Sequence, residues 1–172
     1  MIRCVRIWTG DDGNSHFEEG VIDLEPGQRG DVLSGRMPTT TISFEETAPG
    51  GAFAWHTAPI RQLVITLSGT LDFQTREGEH FLIRPGDILF AEDTAGSGHS
   101  WRLTDAQPWR RAYVILQPGT AVPFRASPKE SRPDRGARDK ESQHSQPTLQ
   151  GELPCPTHST PNQISFSSAP AS

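Results

Sequence analysis

Apolar and polar residues alternate along this chain in short runs. No run repeats its apolar residues with a helical period over a dozen positions. Residues 2–9 (IRCVRIWT) alternate and stop at Gly10, Asp11, Asp12 and Gly13, a strong turn signal. Residues 39–47 are rich in β-branched side chains and set Ile42 and Phe44 against Thr41, Ser43 and Glu45. Further strands are expected over 16–24, 52–56, 62–67, 70–75, 79–83, 87–91, 100–103 and 110–116, separated by Gly- and Pro-bearing turns such as Pro26-Gly27, Gly50-Gly51, Ser68-Gly69, Pro85-Gly86 and Gly96-Ser97-Gly98. Many short strands at regular spacing specify an all-β sandwich or barrel. Their number favours a jelly roll or closed barrel over an open sheet, because closure removes exposed edges.

The chain divides unevenly. Residues 1–125 hold nearly all the large apolar side chains and form the expected domain. Residues 126–172 are dominated by Ser, Pro, Gln, Arg and Thr. Such a segment cannot bury enough apolar surface to offset its ordering entropy, so a disordered Ser/Pro-rich tail is expected. Its first half mixes charges of both signs, as a solvated linker does. The domain contains arginines but no lysine, and its carboxylates outnumber its arginines. That balance argues against nonspecific nucleic-acid binding, which needs a basic stripe. The two cysteines, Cys4 and Cys155, fall one in each part, so a structural disulfide is not expected and a reducing compartment fits. No apolar stretch reaches the length of a signal peptide core or a membrane span. The expectation is a soluble cytoplasmic protein that acts neither on nucleic acid nor at a membrane.

Strand parity places side chains on faces. If His56 points inward, Ala54 does too, and Phe53 and Trp55 point outward. If Gln62 points inward, so do Val64 and Thr66, leaving Leu63, Ile65 and Leu67 outside. Five large apolar side chains on the outer face need a cover. The first two strands or a second copy of the chain would supply it, and a homodimer is the expectation.

The run from Gly50 to Leu103 resembles the cupin superfamily. That family's first motif has a Gly, five intervening residues, His-x-His, then Glu, then Gly; here Gly50, His56 and Gly69 match, while Ala58 stands at the second His and Gln62 at the Glu. In the second motif Gly86, Asp87, Gly96 and His99 match, but Thr94 replaces a Pro, Leu103 replaces an Asn and the span is two residues longer. The resemblance implies a cupin-like jelly-roll barrel with a site inside it. Family sites often hold iron, manganese, nickel, copper or zinc, and family activities range from dioxygenases and isomerases to non-enzymatic binding proteins. Fold alone therefore leaves the function open.

The departures narrow the site. His56, His99 and Gln62 are the candidate metal ligands, but a carboxamide is neutral and ligates less tightly than a carboxylate. The pocket would either hold a divalent transition metal weakly or be metal-free with two imidazoles. Glu92 or Asp93, ahead of His99, could restore a carboxylate, and His16 could reach in if its strand lines the barrel; His80, mid-strand among apolar residues, is a poorer candidate. His56 and His99 are also the candidate catalytic pair, since imidazole suits general acid and base work near neutral pH. Gln62, Trp101 and Asp93 are the candidate ligand-binding residues. An inward Trp101 beside two histidines would make an apolar pocket with few polar groups, the usual character of a small-molecule site. Two functions follow: an enzyme acting on a small, mostly apolar molecule, either as a metal-assisted oxidoreductase or as a metal-free isomerase, cyclase or lyase; or a non-catalytic module that binds or senses such a molecule.

Overall fold

The computed structural model describes residues 1–128; the stretch expected as a tail lies outside the described residues from 129 onward, Cys155 included. The described residues contain thirteen strands and no helix: β1 (Ile2–Thr9), β2 (Ser15–Ile22), β3 (Glu25–Pro26), β4 (Val32–Leu33), β5 (Thr39–Thr47), β6 (Ala52–His56), β7 (Gln62–Ser68), β8 (Leu71–Thr75), β9 (His80–Ile83), β10 (Ile88–Glu92), β11 (His99–Leu103), β12 (Trp109–Leu116) and β13 (Phe124–Ala126). Every strand read from alternation is present. Three more were not expected. β3 and β4 are two-residue exposed pieces, and β13 pairs with β2. β13 and the bond from the Ser127 N–H to the Glu19 carbonyl carry ordered backbone past residue 125.

A seven-stranded sheet in the order β13-β2-β1-β10-β7-β12-β5 faces a four-stranded sheet in the order β6-β11-β8-β9. This is the all-β, jelly-roll-like architecture that the turn spacing called for. The β1–β10 pair is parallel, and its strands are joined through both sheets rather than by a hairpin. Alternation then fills the space between the sheets. Val5, Ile7, Val64 and Leu89 meet Leu71, Phe73, Phe81 and Ile83 in one buried cluster. The Phe73 and Phe81 rings stack with centroids 5.1 Å apart.

The opposite face of the seven-stranded sheet carries a second buried cluster, formed by Cys4, Ile22, Leu63, Ile88, Phe90 and Leu116. Burial pushes the Cys4 thiol up to about 12, so it packs as a small apolar group. Leu24 and Met37, from the excursion between β2 and β5, and Val122 and Phe124 pack against this cluster. Leu63 and Ile65 are therefore covered by the chain itself. The cover does not come from the first two strands, which extend the same sheet instead of crossing it.

Parity fails at β6. Its register against β11 pairs His56 with His99 but Phe53 with Trp101, three residues facing two. One extra residue reverses the alternation, as a β-bulge does. Phe53 consequently borders the space between the sheets together with His56, although it stays 54% exposed at the edge of that space. Trp55 does point outward, with the Arg76 guanidinium 4.0 Å from its ring centroid.

Candidate functional site

Between β5, β6, β7, β11 and β12 the two sheets leave a cavity of about 680 Å3, room for a small organic molecule. His56, His99, Gln62 and Trp101 all line it. The direct pairing of His56 with His99 brings their ring centroids to 4.5 Å with planes 60° apart. Gly98 allows this approach. It sits at φ +68°, and a Cβ there would overlap the His56 carbonyl oxygen.

Each imidazole has one nitrogen tied down. His56 Nδ1–H donates to the Ala54 carbonyl at 2.7 Å, and His99 Nδ1–H donates to Asp93 Oδ2 at 2.6 Å. The Ala54 carbonyl and the Asp93 carboxylate accept, so a proton lies on each Nδ1 and Nε2 is the nitrogen left for a ligand. Burial pushes the His56 imidazolium below its ordinary 6.5, and neighbouring His99 pushes the same way; the Ala54 bond and the Asp93 charge oppose without reversing it.

Asp93 lies behind His99, off the cavity wall. It is fully buried, it also accepts from Ser15 Oγ at 2.9 Å, and its Oδ1 has no partner among the described residues. Ser15 N–H donates to Ser97 Oγ, and Ser97 N–H donates to the Gly13 carbonyl, so the β1–β2 turn holds the loop that carries Asp93 and His99.

The other candidates lie elsewhere. Glu92 accepts from Arg6 and Arg61, each at 2.6 Å, away from the cavity. His16 faces Asp12 at 3.0 Å and Glu77 at 3.7 Å on the surface instead of reaching inward. His80 is exposed and bonds Asp72 at 2.9 Å. Ala58 lines the cavity but offers no donor atom. Aromatic rings cluster on one side of the cavity: Trp101 lies 4.7 Å from Trp109 and 6.3 Å from Phe53 between centroids, and Phe53 lies 4.2 Å from His56.

Glu45, Thr47, Trp109, Tyr113 and above all Arg111 are cavity residues not anticipated from the sequence. Arg111 is only 6% exposed, and its guanidinium carbon sits 3.8 Å from the Trp109 ring centroid. Nε donates to Tyr113 Oη at 3.0 Å; Nη1 to Thr47 Oγ1 at 2.8 Å and the Trp109 carbonyl at 3.3 Å; Nη2 to Glu45 Oε2 at 2.7 Å. Parity held the signal: Arg111 shares a face with Tyr113 and Ile115, opposite Ala112 and Val114. Charged side chains are rarely buried without partners, so an arginine on the inward register of a barrel strand marks a polar site.

A family model described as the AraC-like ligand binding domain matches residues 42–153, more than half of the chain. No curated protein matches it. Among solved structures, a conserved Streptococcus pyogenes protein of unknown function is 19% identical with a TM-score of 0.34, over 50% of this chain and 70% of its own. The cupin domain of an XRE-family transcriptional regulator from Enterobacter cloacae is also 19% identical, with a TM-score of 0.27, over 69% of this chain and 99% of its own. The assignment rests on the family match, which agrees with the glycine and histidine spacing and with the two-sheet architecture: this chain belongs to the AraC-like ligand binding domains, a cupin-fold family.

Proposed function

We propose that the barrel binds a small, largely apolar organic molecule without the help of a metal. A single observation carries the reading: a cavity of about 680 Å3 walled by Phe53, Trp101 and Trp109, into which few polar groups converge. A flat ligand would stack on those rings and offer a donor to the Nε2 atoms of His56 and His99. The donor set does not fit a resident divalent metal. The Gln62 carboxamide is neutral, Ala58 supplies nothing, Glu92 and Asp93 are engaged elsewhere, and the carboxylate on the cavity wall, Glu45, is paired with Arg111. Arg111 adds a permanent cation to the same cavity, which opposes a second one.

A catalytic reading, in which the histidines act as acid and base on the bound molecule, draws on the Asp93–His99 bond. That bond fixes the tautomer and orientation of His99, as carboxylate partners of catalytic histidines do. We retain a homodimer as part of the proposal, because Ile42, Phe44 and Leu67 remain exposed around edge strand β5. A monomer at all micromolar concentrations in sedimentation would overturn that part.

The test uses the full chain, purified after supplementation with iron, manganese, nickel, copper and zinc. Elemental analysis should find no stoichiometric metal. The neutral fluorophore N-phenyl-1-naphthylamine should bind once per chain and quench the cavity tryptophans, and Trp101→Ala should weaken it about tenfold or more. Stoichiometric metal that disappears in the His56→Ala, His99→Ala double variant would overturn the metal-free reading. Catalysis, where a substrate is found, should be lost in that double variant, and its survival would remove the acid–base reading.

A further inference from the structure

We propose that the ligand of this cavity carries a carboxylate, and that Arg111 receives it by letting go of Glu45. This inference rests on the binding role above and narrows its ligand class. Arginine is almost never buried without a full set of partners. Arg111 is buried, yet three of its four acceptors are neutral: a phenol, a hydroxyl and a main-chain carbonyl. Four contacts leave one of the five guanidinium N–H groups over, and it belongs to Nη2.

The single anion on the guanidinium is Glu45, and its side chain is 54% exposed. It belongs to β5, the edge strand of its sheet. A half-solvated carboxylate is held weakly and is well hydrated when released. The guanidinium, by contrast, does not need to move. It is stacked on Trp109, with Tyr113 5.3 Å from its carbon on another side.

A ligand carboxylate entering between the aromatic walls would meet Nη2 of a guanidinium already held in place, where one N–H is free and Glu45 can vacate the other. Arg111 itself is buried, and a charge-assisted pair to it gains strength accordingly. Among the described residues no second cation lines the cavity, which favours a singly charged carboxylate over a phosphate dianion. The apolar remainder of the ligand would lie toward Trp101 and Phe53.

The experiment compares two isosteric probes, 2-naphthoate and 2-naphthamide, by calorimetric titration against the full chain. The acid should bind about tenfold or more tighter than the amide. Glu45→Gln should widen the acid's advantage over the amide several-fold. Arg111→Gln should erase the preference while the amide still binds. Should Arg111→Gln fail to fold, Glu45→Gln decides alone. Equal affinities for the two probes, or a preference indifferent to Glu45→Gln, would overturn the carboxylate assignment and leave the binding role standing. Absence of binding by both probes would overturn the two together.

Discussion

The two faces of the seven-stranded sheet use the same alternation to opposite ends. Outside, Cys4, Leu63, Ile88 and Phe90 are packed solid beneath Leu24, Met37, Val122 and Phe124. Inside, the partners of those residues on β7 and β12, namely Gln62, Val64, Arg111 and Tyr113, stop short of the opposite sheet and leave a void. One face spends its side chains on exclusion of water, the other on a space with a few placed polar atoms. Stability and binding should therefore separate by face.

The largest effect expected is on the packed face. Phe90→Ala should lower the unfolding free energy by about 3–5 kcal/mol, because the ring fills its site and the cavity left cannot collapse fully. Trp101→Ala, on the open face, should cost only about 1–2 kcal/mol while abolishing most probe binding. Urea titrations of both variants check this; equal stability losses would break the comparison.

Asp93→Ala sharpens it, since Asp93 belongs to neither face. Its removal leaves His99 Nδ1 and Ser15 Oγ without a partner in a buried place, and about 1–3 kcal/mol should be lost. Probe affinity should fall with it, as His99 becomes free to change tautomer. Unchanged affinity in a folded Asp93→Ala protein would show that His99 is positioned by packing alone.

The smallest effect is the pH dependence of His56. Its folded value lies below 6.5, so the unfolded chain takes up a proton that the folded chain refuses. Stability should fall as pH drops from about 6.5 towards that lower value, and level off beneath it. Thermal midpoints between pH 7.5 and 5 should show this slope in the wild type and a shallower one in His56→Gln; parallel slopes would rule out His56 as the source.

Much of this was legible in the chain. β1, β5 and β6 begin and end where alternation and turn residues put them, because strong turn chemistry brackets a clear period of two. The histidine corner followed from motif spacing, which records a pairing between β6 and β11. β3, β4 and β13 were not legible, since two or three residues carry no period. The place of Phe53 beside His56 at the border of the cavity was hidden because a bulge shifts register without leaving a residue-type signature. Glu92 was misjudged for a different reason: the arginines that hold it, Arg6 and Arg61, come from β1 and the β6–β7 loop, and sequence distance conceals them.

Gly98 sets a limit on how this domain can change over time. The main chain at that position lies against the main chain of His56, so the closeness of the two imidazoles is held by backbone as well as by side chains. Drift at Phe53 or Trp101 would remould the cavity for another molecule. A side chain at position 98 would separate the strands that carry the rings, and a descendant with that change would lose the paired site even with both histidines intact.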